Sequence, residues 1–190
     1  MSNSKIINIV LLLLFVFTGC NDSRHIQSYR MPKKDFGLAN EIEKGSKQNN
    51  NVSGLSWSLP ETWAPSDGHS MRLASFNVPY SKGVGDLSIV SLSGESGGLV
   101  ANVNRWRRQI DLDPIDEQEI LASAVNGESR IGPFRLFRLV NDANKEKAIL
   151  AAVLPLVSKT FFIKLTASQQ GISELRFSFM EFCSSIGEAK

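Results

Sequence analysis

Apolar and polar residues alternate with period two through Leu55-Ser56-Trp57-Ser58-Leu59, which predicts a half-buried strand that Pro60 stops, with Trp57 on its core side. Two more β-rich runs, 70–78 and 86–93, follow the turn-rich segment 61–68, and the stretch from Pro79 to Gly85 between them reads as a loop. Gly94-Glu95-Ser96-Gly97-Gly98 then breaks the chain. Beyond it Leu99, Val103, Trp106 and Ile110 recur at steps of four, three and four, which is one face of a helix. Its other faces carry Asn102, Asn104, Arg105, Arg107, Arg108 and Gln109, so the apolar stripe is expected on a sheet with a cationic side outward. Residues 120–125 and 128–131 read as two strands around Asn126-Gly127, a dipeptide suited to a tight hairpin turn. Strands over 134–140, 148–157 and 160–166 follow, with Phe161, Ile163 and Leu165 sharing one face. A last helix is marked by Ile172, Leu175, Phe179, Phe182 and Ile186 at three- and four-residue steps. The expected order is three strands, a helix, a run of strands joined by short turns, and a final helix. Its hairpin-length connections point to an α+β fold, a largely antiparallel sheet flanked by two main helices.

The first twenty residues depart from this pattern. A short polar start with Lys5 leads into an apolar run from Ile6 to Phe17, and Thr18-Gly19-Cys20 ends it, as in a secretory leader. As a helix, twelve residues at roughly 1.5 Å each reach about 18 Å, against about 30 Å for the hydrocarbon core of a bilayer. A spanning helix is therefore the weaker reading. Between Cys20 and about Val52 the chain holds few large apolar residues and runs out in Lys44-Gly45-Ser46-Lys47-Gln48-Asn49-Asn50-Asn51, the composition of a tether. The organisation expected is a leader over 1–19, a modified cysteine and flexible tether over 20–52, and a single α+β domain over 53–190.

Phe17-Thr18-Gly19-Cys20 resembles the bacterial lipobox, with Phe17 where leucine is usual. The resemblance implies a diacylglyceryl thioether on Cys20 and acylation of the amino terminus freed by cleavage. Several acyl chains on one residue hold a protein firmly at a membrane, where one chain holds it only marginally. The mature chain would then be a lipoprotein of the cell envelope, anchored to the inner or outer membrane with its domain facing the periplasm or the outside. The alternative is an ordinary secretory signal cut near Gly19, which would leave Cys20 a thiol. Only Cys183 remains as a possible partner, and it sits in a helical apolar pattern, as a small buried hydrophobe does.

The order of elements, the Leu59-Pro60-Glu61-Thr62-Trp63 opening and the long helix ending each half resemble the PsbP-like α/β/α sandwich over 55–187. The segment from Gly97 to Arg107 is also similar to a motif of uncharacterised lipoproteins from environmental bacteria. These resemblances imply a binding or assembly subunit and carry no catalytic residues over.

The formal charge is +2, and loss of Lys5 with the leader leaves about +1, which gives no reason to expect nucleic acid as a partner. Gly94-Glu95-Ser96-Gly97-Gly98 matches the nucleophile elbow G-x-S-x-G, yet both histidines, His25 and His69, precede Ser96, whereas the hydrolase order puts the histidine after the serine. A glycine-rich turn near a helix start accounts for it. Two separated histidines and one available thiol do not make a zinc set, and Asp111, Asp113, Asp116 and Glu117 lack the spacing of a calcium loop. No catalytic residue, metal site or cofactor is expected. The candidate interaction face is Asn102, Arg105, Arg108 and Gln109, which could meet a protein partner or an acidic group; the contrary expectation is a merely solvated face whose arginines pair with the acidic loop. The function expected is a non-enzymatic interaction or assembly module held at a membrane through Cys20. The alternative is a small-ligand binder with a pocket between sheet and helix, lined by aromatics such as Trp57, Trp63 and Phe162.

Overall fold

The computed structural model describes residues 51–52, 54–68, 71–93 and 98–189. The leader, Cys20, the tether up to residue 50, both histidines and Ser96 lie outside the described residues.

The strands are β1 (Asn51–Val52), β2 (Leu55–Ser56), β3 (Ala64–Pro65), β4 (Ala74–Tyr80), β5 (Gly83–Ser93), β6 (Val125–Ser129), β7 (Gly132–Asn141), β8 (Asn144–Pro155), β9 (Lys159–Ala167) and β10 (Gly187–Glu188). The helices are α1 (Leu99–Arg108), α2 (Glu117–Ser123) and α3 (Gln169–Ser185). Seven strands form one sheet in the order β3-β4-β5-β9-β8-β7-β6, and each neighbouring pair is antiparallel. A small sheet, β1-β2-β10, gathers the start of the domain and the end of α3. The first pair among the described residues joins Asn51 to Ser56.

Alternation along the central strands divides the core into two layers. Leu87, Ile89, Leu150, Ala152, Phe161, Ile163 and Leu165 point to one face, where α3 covers them with Ile172, Leu175, Phe179 and Phe182. Ile149, Ala151, Val153 and Phe162 point to the other, where Val103, Trp106 and Ile110 of α1 and Ile120 of α2 complete a smaller layer. The result is an α+β fold in which helices cover both faces of a largely antiparallel sheet, as expected. No helix among the described residues is long and apolar enough to cross a membrane.

Three local expectations are corrected. Residues 117–123 form a helix where a strand over 120–125 was expected. Asp116 caps it: its Oδ1 accepts from the Glu119 amide at 2.9 Å while Glu119 Oε2 accepts from the Asp116 amide at 3.3 Å, a reciprocal capping box. Asn126-Gly127 lies inside β6 rather than at a turn; the hairpin turns at Arg130 and Ile131, with Ser129 paired to Gly132. Gly127 serves packing there, since a Cβ at that position would stand 2.2 Å from Cζ of the cross-strand Phe134. Finally, β4 and β5 extend into the expected 79–85 loop, leaving only Ser81 and Lys82 between them.

Candidate functional site

Helix α1 opens at Gly98 without a side-chain cap and ends in a left-handed Asp111, φ 58°, with the Leu112 amide reaching back to the Arg107 carbonyl at 3.0 Å. The loop after it is fastened from three sides. Asn104 exchanges two hydrogen bonds with the Ile115 backbone at 2.8 and 2.9 Å, Arg107 Nε donates to the Asp113 carbonyl at 2.6 Å, and Asn141 Nδ2 donates to the Ile110 carbonyl at 3.0 Å. The helix is therefore fixed over β9 and β8. Its flank meets the same face of the sheet on β5, at Ser88, Val90 and Leu92.

On that face, strand register sets three rows across the sheet. Val90, Phe162 and Val153 make an apolar row beneath α1; Ser75, Ser88, Lys164 and Ala151 make the next; Asn77, Asp86, Thr166 and Ile149 make a third. A cavity of about 220 Å³ forms where the helix flank meets the first two rows. Its polar side is lined by Arg72, Ser88, Arg105 and Lys164, and its apolar side by Val90, Leu92, Trp106 and Phe162. Trp106 stands edge-on to Phe162 with ring centroids 5.9 Å apart.

Three cations thus converge on one groove. Arg72 is held by a bidentate pair with Asp86 at 2.8 and 2.9 Å and also donates to Ser75 Oγ. Lys164 Nζ donates to Gln109 Oε1 at 3.0 Å, and Arg105 donates to Asn102 Oδ1. Among the described residues, Lys164 and Arg105 each donate to a side-chain amide oxygen. Partial burial lowers the Lys164 pKa, and repulsion from Arg72, Lys147 and Arg105 adds to that while Asp86 opposes it. The ammonium is therefore partly desolvated, with Asp86 the nearby negative charge.

Of the four residues expected to form an interaction face, Asn102, Arg105 and Gln109 line this groove, while Arg108 is exposed and outside its lining. Asn102 does not project into solvent, as expected from the stripe; it is 0% exposed, with its Nδ2 donating to the Gly98 carbonyl at 2.9 Å. Three residues after Leu99 and four before Trp106, it falls on the flank of the stripe and is carried inward. Arg72, Ser88 and Lys164 were not anticipated; the only local hint was the alternation that puts Lys164 opposite Phe161, Ile163 and Leu165.

The aromatics proposed for a ligand pocket separate. Phe162 lines the groove, but Trp57 and Trp63 are buried on the opposite face of the sheet, packed with Phe182 at centroid distances of 6.3 and 5.3 Å. Cys183 is buried there too, and burial pushes its thiol pKa up, so it stays protonated. Among the described residues no three metal-ligating side chains come together.

No protein-family model matches the sequence, and no curated protein matches it. Solved structures similar in fold include the following two. One is a protein from Bacteroides thetaiotaomicron VPI-5482, 14% identical with a TM-score of 0.42, over 72% of this chain and 46% of that one. This chain therefore spans less than half the length of the Bacteroides protein. The other is cyanobacterial PsbP (CyanoP) from Synechocystis sp. PCC 6803, 15% identical with a TM-score of 0.45, over 81% of this chain and 99% of that one. Both likenesses are of fold alone.

Proposed function

We propose that this chain is a lipoprotein of the bacterial cell envelope, anchored through acyl chains on Cys20, whose α+β domain is a non-enzymatic binding module for a partner bearing an acidic group. The observation that carries the binding half is the convergence of Arg72, Arg105 and Lys164 on one groove, with two of the three hydrogen-bonded to neutral amides. An anion placed there would form charge-assisted hydrogen bonds and relieve the repulsion on Lys164. The anchoring half is supported by the leader pattern that ends in Phe17-Thr18-Gly19-Cys20.

Metabolic labelling with palmitate and co-purification from solubilised membranes test both halves together. The parent chain is expected to label and to retain a bound partner. Cys20→Ser should lose the label, and Arg105→Gln with Lys164→Gln should keep the label but release the partner at lower salt. Labelling that survives in the Cys20→Ser chain, or a partner held equally by the double variant, would overturn the corresponding half.

A further inference from the structure

We infer that the acidic group taken by the groove belongs to a small amphipathic organic acid, a carboxylate carrying an apolar body about the size of a phenyl ring. This rests on the reading of the groove as an anion site and adds the chemistry of what the anion is attached to. The groove is not uniformly cationic. Ser88 and Lys164 face each other in one cross-strand row, Val90 and Phe162 in the next row on the same face, and the helix flank matches this split with Arg105 over the polar side and Trp106 over the apolar one. Successive residues on one face of a strand are about 7 Å apart, so a ligand spanning both rows has its charge and its apolar centre separated by about that length.

A bare anion would leave the Val90, Phe162 and Trp106 surface wet, and an uncharged apolar molecule would offer Lys164 and Arg105 no charge-assisted bond. Only a ligand with both parts satisfies both sides. The volume limits its size: about 220 Å³ lies below the roughly 300–1,000 Å³ typical of sites for drug-sized molecules. A short chain ending in one ring or a branched aliphatic group fits that bound. The carboxylate is placed with Lys164, whose ammonium has donors left beyond the one given to Gln109, and with the Arg105 guanidinium.

The test is calorimetric titration of the full chain in detergent, blanked against detergent alone, with 4-phenylbutanoate, its amide 4-phenylbutanamide, acetate and inorganic phosphate. The acid should bind about ten- to hundredfold more tightly than acetate, because the ring leaves water, and at least about tenfold more tightly than its amide, because the charge is lost. Lys164→Met should erase the preference for acid over amide, and Val90→Thr, which keeps the side-chain shape, should narrow the preference over acetate. Arg138→Gln, on the other face of the sheet, should change neither. If acetate or phosphate binds as tightly as 4-phenylbutanoate, the apolar half of the site is idle and the inference falls while the anion site stands. Should none of the anions bind, the inference and the proposed binding function fall together.

Discussion

Replacing Trp106 by Ala removes the largest side chain from the thinner of the two core layers. Trp106 is 4% exposed and packs between α1 and Phe162, among Val103, Ile110, Phe137 and Val153. Large aromatic-to-alanine changes in cores cost about 3–5 kcal/mol, the spread reflecting how far the site can collapse around the cavity. Collapse is restricted here from both sides. The floor is the central sheet, and the end of α1 is pinned by Asn104 to Ile115 and by Asn141 to Ile110, so the helix cannot settle onto Phe162. The edge-to-face pair, worth about 0.5–1.5 kcal/mol beyond area burial, is lost as well. A cost in the upper part of the range, about 4–5 kcal/mol, is expected. With 132 described residues and about 2.1 cal/mol/K of unfolding entropy per residue, that is a fall of about 14–18 °C in thermal midpoint. Since whole domains are stable by only about 5–15 kcal/mol, the variant should fold but sit close to the threshold. Calorimetry or circular dichroism melts of the parent and variant chains measure it. A midpoint within about 3 °C of the parent would show that α1 is not bound to the sheet through Trp106, and with it the groove wall would be lost.

Lys164→Met should raise stability near neutral pH, by roughly 0.5–2 kcal/mol, while removing anion binding, because the lysine is kept at the expense of stability. The unfolded chain holds the Lys164 proton up to the ordinary value of 10.5, whereas the native state releases it at lower pH, so the parent gains stability as pH rises through that window and the advantage of the variant shrinks. Thermal midpoints across an alkaline pH series check this, and a parent as stable as the variant at pH 7 contradicts it. Gly127→Ala should cost about 1–3 kcal/mol in urea unfolding, because its Cβ would meet the buried Phe134 ring at 2.2 Å; a neutral result would refute the packing role. Asp116→Ala should cost about 1 kcal/mol through the α2 cap, with Asp116→Asn recovering most of it; equal midpoints for all three chains would show the cap to be idle.

The sequence by itself determined whatever a single element must bury. Leu99, Val103, Trp106 and Ile110 define α1, the 172–186 stripe defines α3, and Phe161, Ile163 and Leu165 define a core strand, since each periodicity needs only its own residues to be expressed. Where local signals competed, tertiary context chose between them. The apolar run from Ile120 reads as a strand, yet Asp116 and Glu119 cap a helix whose Ile120 fills the layer beneath α1. Asn126-Gly127 carries the signature of a turn, but the absent Cβ of Gly127 was needed by a ring across the hairpin, a demand visible only once β6 and β7 are paired. The groove depends most on tertiary structure. Asn102, Arg105 and Gln109 lie along one flank of α1 and could be grouped from the helix alone. Arg72 and Lys164 come from distant parts of the chain and are brought to them by the β4–β5 and β5–β9 registers, so the site's charge exists only in the assembled sheet.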